Sequence, residues 1–565
     1  MNYLKKIFLS IYFIYLLIMI KSIEFLQINW TNYIRNDKLD VKNIELTNLN
    51  GLENYTFLRS IVLIGSRKIS NIDSLRFLTN LTSLGLDHNK IRFINDFICD
   101  LKHLKQLRLL DNPLVNIEIF ECLSNQLDLL ALSSTLSTRF DVIGKLTILN
   151  TLFINNNQIS NIDFLFNLTE LTYLEMEYNL IKDLRVISRL INLNELHLSY
   201  NKIDSIYHLS NLTRLNNLRL ANNIIRDVSY LSNMDKLIEL DLSNNLIENV
   251  DSLKNMANLE YLYVKNNRIK KIDQLSRLIN INTLILFDNE IKEIDFVRNM
   301  TKLKTLKLSK NQINNINPLK HLIQLSLLEL SNNRIDNLNS LNNLTNLEKL
   351  DLSKNQIEMI DSLKKMTQLS DLNLNDNKIY DINPLRYLKR LNSLYLRNNC
   401  LTNITSVFEP MINLYFLDLS FNQIENINSL VKSPIFRLNL SNNNITDIRV
   451  FQSMIYLTIV DISSNPIQKF ESFSVEMTEL HTIIIDQKST FVFNQSINSN
   501  IKRRKYNHIN YYKAIFLITK NQIKRDILDC HFVLNLSKRN ILLNLFTNEE
   551  IEQFFTKCSN IELNI

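Results

Sequence analysis

Residues 237–245 read Leu237-Ile238-Glu239-Leu240-Asp241-Leu242-Ser243-Asn244-Asn245, and Leu347-Glu348-Lys349-Leu350-Asp351-Leu352-Ser353-Lys354-Asn355 repeats the same order of apolar and polar residues. In this LxxLxLxxN block the fourth and sixth positions alternate with polar ones, the period-two mark of a short strand with one buried face. The closing asparagine falls at Asn89 and Asn112, then every 22 residues from Asn157 to Asn399, then at Asn422, Asn443 and Asn465. Ser66, Thr135 and Lys488 hold the place in degenerate copies, which makes 20 coils; from Thr135 to Asn399 the spacing of 22 has no exception. After the asparagine, apolar residues return at every third position, as in Ile313, Ile316, Leu319 and Leu322. Period three belongs to 3₁₀ turns, whose i and i+3 side chains eclipse. Each coil therefore has a strand on one side and tight turns on the other. Neither buries its apolar side alone, so the coils must stack, and stability becomes a sum over neighbours.

The composition agrees. The chain of 565 residues exceeds the size at which one compact core stops growing, about 250–300 residues, yet only four glycines and six prolines punctuate it. No glycine follows Gly144, which excludes Gly-rich phosphate loops and dinucleotide fingerprints over the last three quarters of the sequence. There are 83 asparagines. The repeat explains many of them: an inward asparagine at the corner after the strand can bond backbone groups left unpaired there. The net charge of +7 falls to +4 without Lys5, Lys6 and Lys21 of the apolar N-terminus. That mild balance gives no argument for nucleic acid as a partner.

The spacing and the LxxLxLxxN block resemble the leucine-rich repeat in its short 22-residue class, which includes the regulatory subunit of protein phosphatase 1 and the bacterial internalins. The resemblance covers residues 58–490. It implies an α/β solenoid, a horseshoe of about 20 coils with a parallel concave sheet and 3₁₀-like convex turns. Strands ~4.8 Å apart would carry such a sheet over an arc of about 95 Å. The class serves adhesion, inhibition, sensing and scaffolding alike, so function has to be read from the surface.

The ends differ from the repeat. Lys5 and Lys6 precede an apolar run from Ile7 to Ile20, which Lys21 closes. Residues 1–22 thus read as a secretory signal peptide, with an uncleaved signal-anchor as the alternative, since the run is short of the ~20 residues a membrane span needs. Residues 23–57, with the only tryptophan, Trp30, are expected to cap the first coil. Residues 491–565 leave the repeat with a basic run, Lys502 to Lys505, and two apolar-periodic segments, 511–528 and 540–555. They are expected to form a small helical cap.

Cys99 and Cys122 both lie ten residues after their ladder positions, so stacking brings them within the Cα range of a disulfide. Cys530 and Cys558 are a candidate second pair, and Cys400 is expected to be a small packed side chain. Six residues after the ladder position an acid or amide recurs, as at Asp163, Asp251, Asn317 and Asn383. A row of carboxylates can suggest calcium, but capping of the convex turns explains these residues better. Twelve N-x-[ST] sequons occur, about the number chance yields at this asparagine content, so glycosylation depends on the secretory reading.

On the concave positions one cluster departs from the usual Ser, Asn, Asp, Glu and Lys: Tyr261 and Tyr263 in one coil, Ile285 and Phe287 in the next. Exposed aromatic groups side by side are typical anchors of an interface. Smaller groups are Tyr173, Tyr178 and Tyr200 beside Glu175, Glu177 and Glu195, and Tyr395, Phe416 and Phe421. His197, with Glu195 and Arg219 near it in the pattern, reads as a surface contact rather than a base. No catalytic, metal or cofactor motif is found: there is no HExxH, no GxSxG and no CxxC. The sequence therefore points to a non-enzymatic, secreted or surface-exposed protein that binds a protein ligand on its concave face. The alternative is an intracellular scaffold or a phosphatase-regulator-like subunit.

Overall fold

The computed structural model describes residues 28–404, 407–431, 433–467 and 482–484. The chain falls into two compact units that meet in sequence at Glu329 and Leu330. In the first, thirteen coil strands run from Ser60–Ile64 to Leu327–Glu329; in the second, seven run from Lys349–Asp351 to Thr482–Ile484. Within each unit neighbouring strands pair in parallel, one coil apart. Leu240 faces Leu262, and Leu262 faces Leu284. These leucines are wholly buried, while the residues flanking each one point to the open face of the sheet. Alternation in the block thus becomes two faces, one apolar and packed, one solvated.

On the opposite side each coil closes with a 3₁₀ helix. In Asp251–Asn255 the Leu253 amide donates to the Val250 carbonyl at 3.0 Å, and the next amide in phase, Met256, donates to Leu253 at 3.1 Å. Val250, Leu253, Met256 and Leu259 are all buried, as eclipsed i and i+3 side chains require. All helical elements among the described residues are of this kind, the 3₁₀-like convex turns expected of the solenoid.

The asparagine ladder forms as expected and has a direction. Asn245 Nδ2 donates to the Leu220 carbonyl of the preceding coil and to the Leu242 carbonyl of its own, both at 3.0 Å. Its Oδ1 accepts from the Ile225 amide of the preceding coil at 3.0 Å. Asn223, Asn289 and Asn311 repeat the pattern. One residue before each ladder position the backbone turns left-handed, with φ near +55° at Asn222, Asn244 and Asn266.

The capping expectation needs correction. Asp163, Asp251, Asn317 and Asn383 do start the 3₁₀ helices, but the amides at these starts are met from elsewhere. The cap comes from two residues earlier. Asn161, Asn249, Asn315 and Asp381 accept the amides of those four residues at 2.7–3.0 Å. An Asx side chain reaches an amide two residues on more readily than one in its own turn.

At the start of the described chain, Trp30 is 1% exposed and its Nε1 donates to the Asn50 carbonyl at 3.0 Å. Ile34–Arg35 pairs antiparallel with Lys38–Lys42, which lies parallel to Ser60–Ile64 and so occupies the edge of the first coil strand. Gly144 marks a close approach: a Cβ there would sit 2.6 Å from the Phe164 carbonyl oxygen. The segment 1–22, the basic run, both C-terminal apolar segments, Lys488, Cys530 and Cys558 lie outside the described residues. No described helix is long and apolar enough to cross a membrane.

Candidate functional site

The open face of the sheet carries all three aromatic clusters. Tyr261 and Tyr263 stand on the strand Tyr261–Tyr263 and face Thr283 and Ile285 of the next coil. Both tyrosines and Phe287 are half-buried, but Ile285 is only 8% exposed, so it is not a fourth exposed group. Lys265 Nζ lies 5.4 Å from the centre of the Phe287 ring, within cation–π range. Burial raises the pKa of the Tyr263 hydroxyl, and the carboxylates of Glu239 and Asp241 add to the rise. Arg219 reaches Glu239 at 3.0 Å in an ion pair beside this group.

The second cluster spans two adjacent strands, Tyr173–Glu175 and Glu195–His197. Phe153, Tyr173 and His197 follow one another, the first pair tilted and the second T-shaped, with ring centroids 4.9 and 5.4 Å apart. His197 departs from its expected place at the surface: it is 5% exposed, and Arg219, its strand partner, makes its ion pair with Glu239. Its Nδ1 lies 3.7 Å from Glu175 Oε2 and 3.4 Å from the Tyr173 hydroxyl; its Nε2 lies 3.8 Å from Glu195 Oε2. Burial pushes Glu175 towards its neutral form. Hydrogen bonds from His197, Asn155 and Tyr173 outweigh that and hold its pKa down to about 2. The Tyr173 hydroxyl shifts the other way, raised by burial and by its bond to Glu175. Farther along the same coils Tyr178 and Tyr200 stack face to face, 4.0 Å between centroids and 11° between planes.

In the second unit Tyr395 and Phe416 lie 5.0 Å apart on paired strands, and the Arg397 guanidinium covers the exposed Phe421 ring at 4.4 Å. The structure thus splits two of the sequence-predicted groups: Tyr178 and Tyr200 stack apart from Tyr173, and Phe421 packs with Arg397 while Tyr395 packs with Phe416.

Cys99 and Cys122 are joined in a disulfide, with Cα atoms 5.6 Å apart. Cys400 is exposed, not packed, because the position just after the ladder asparagine points outward, as it does at Leu180 and Ile224. Among the described residues no group of three or more His, Cys, Asp or Glu is placed to hold a metal ion.

One feature was missed from the sequence. Two residues after the ladder position nearly every coil has a buried isoleucine or leucine, as at Ile159 and Ile181, but the degenerate coil of Thr135 has Ser137. Beside it lies a cleft of about 550 Å³ lined by Leu136, Ser137, Phe140, Ile159 and Phe164, with Asp141 and Asp163 at its wall. The signal was a polar residue in an apolar slot.

The repeat pattern has counterparts among known proteins. The family described as Leucine Rich repeats (2 copies) matches residues 235–277 and 345–387. An internalin (InlF) of Listeria monocytogenes is 33% identical over 54% of this chain and 89% of its own, with a TM-score of 0.51. A leucine-rich repeat protein of Leptospira interrogans is 24% identical over 72% of this chain and 97% of its own, TM-score 0.53. A plant peptide hormone receptor in complex with RGF2 is 21% identical over 80% and 90%, TM-score 0.57. The last two speak for the fold alone. No curated protein sequence matches the chain.

Proposed function

Because the chain belongs to the leucine-rich repeat proteins, we propose that it is a non-enzymatic binding protein that holds a protein partner on the open, concave-side face of its sheet. One observation carries the reading: Tyr261, Tyr263 and Phe287 stand half-exposed on that face, where the core does not need them and an ordinary solvated sheet has small polar residues. A rigid surface of this kind binds by complementarity, with little ordering cost, and aromatic groups supply most of the energy. The Tyr395, Phe416 and Phe421 group in the second unit adds another set of contacts of the same kind. The internalin likeness fits a secreted or surface-exposed protein, and the Cys99–Cys122 bridge fits an oxidising compartment. Residues 1–22 would direct the chain there.

The test is a comparison of the full chain with its Tyr263→Ser/Phe287→Ser variant. A partner captured by the full chain should bind the variant about tenfold or more weakly, with an unchanged melting temperature. Equal binding would move the interface elsewhere; loss of folding would make the rings structural. Following a tagged chain with and without residues 1–22 tests the secretory reading, which fails if both stay in the cytosol.

A further inference from the structure

The position before each ladder asparagine has a left-handed backbone, and asparagine is its commonest occupant, at Asn156, Asn222, Asn244, Asn266, Asn332 and Asn398 among others. That choice is the inexpensive one, since asparagine tolerates this conformation and bulky side chains do not. Tyr178 and Tyr200 break the rule in two successive coils, at φ +55° and +58°. They are 47% and 44% exposed, so burial does not account for them either. Their rings stack on each other at the exposed surface.

Next to these rings in the chain stands Glu177; towards Tyr173, about 16 Å across the sheet at ~3.3 Å per residue, stand Glu175, the buried His197 and Glu195, the strand partner of Tyr173. Glu175 is held by Asn155 and Tyr173. Glu177 and Glu195 have no lysine or arginine partner among the described residues, and on these two strand blocks, residues 171–179 and 193–201, no lysine or arginine occurs. His197 Nε2 is buried on the Glu195 side without a hydrogen-bond partner. The band is therefore acidic and aromatic, with an unmet polar atom at its floor. The second unit contains the complement in its own structure. At Phe421, the same position of the repeat and again left-handed, the chain lays the Arg397 guanidinium over the ring at 4.4 Å. Arg397 precedes its own ladder asparagine by two residues, and the residue at that place in the coil before Tyr200 is Glu177. Where one coil supplies a guanidinium, the other supplies a carboxylate.

We infer that Tyr178 and Tyr200, with Glu177, form a subsite for an arginine side chain of the protein partner. The guanidinium lies against the tyrosine pair and its N–H groups donate to the Glu177 carboxylate. The inference rests on the protein-binding reading above and names the chemistry that one part of that face takes.

The experiment is saturation-transfer NMR of the full chain at low salt with two probes, N-acetyl-arginine amide and its uncharged isostere N-acetyl-citrulline amide. The arginine probe should give the larger response, by about threefold, and Tyr178→Asn/Tyr200→Asn should reduce it to the citrulline level. Asparagine is the residue this backbone favours, so the double variant should melt no lower than the parent. Should it fail to fold, the isosteric Glu177→Gln variant carries the test and should lower the arginine response as well. Equal responses to the two probes, including none to either, or an arginine response that survives both variants, would overturn the subsite. That result leaves the binding reading standing if Tyr263→Ser/Phe287→Ser still abolishes partner capture.

Discussion

A single side chain decides the corner of each coil. Asn245 satisfies carbonyls of two coils and one amide, all in a place that water does not reach, since it is 5% exposed. Alanine there would leave those groups buried and unpaired. Asn245→Ala should therefore destabilise the first unit by about 2–4 kcal/mol, read as a lower urea midpoint. A change within error would show that solvent can enter the corner. The role of this asparagine was legible from spacing alone, because only a residue with both a donor and an acceptor is useful at a fixed bend. The environment of His197 was not legible. Its burial depends on Tyr173 and on the two glutamates converging from neighbouring coils, and a one-dimensional pattern does not tell which polar side chains on a solvated face will close over one another.

At the scale of the coil, the alternation in LxxLxLxxN and the period of three after it fixed strand and 3₁₀ helix in the right order, because both periods report directly which side faces the core. The cap was misassigned by two residues for a local reason: Asp163 and Asn161 are both cap-forming types, and only backbone geometry shows which one meets the free amide. Ser137 is the informative exception. Its slot holds isoleucine or leucine in the coils on either side, and the serine lines the cleft with Phe140 and Ile159. Ser137→Ile should raise stability by about 1 kcal/mol, because the apolar surface removed from water outweighs the 3.3 Å bond that Ser137 Oγ accepts from the Arg139 amide. Thermal unfolding with a lower midpoint would instead show that the cleft is held open by the surrounding backbone.

For the molecule as a whole, stability is carried by contacts between adjacent coils, so a covalent staple acts locally. Cys99–Cys122 links two neighbours across a sequence separation of 23. Closing a loop of that size contributes about 2–4 kcal/mol, and reduction should lower the unfolding midpoint of the first unit while sparing the second. Hydrogen exchange that rises around residues 96–123 and nowhere else would confirm that range; a uniform rise would mean that the coils unfold as one body. The pairing was legible in the sequence because repeat register fixes which side chains stack. The open-face aromatic positions were legible for the same reason, whereas the exposure of each side chain depended on its neighbours' bulk, as Ile285 shows.

The ladder has a polarity with a bearing on how such a chain is made. Every amide described above reaches back: Asn112 bonds Leu86 and Ile91, Asn245 bonds Leu220 and Ile225, and Asn443 bonds Leu419 and Ile424. A ribosome delivers the coils in that same order. Each newly emerged coil thus seals the one synthesised before it, and the growing protein carries only its most recent corner open, advancing towards the C-terminus like a ratchet.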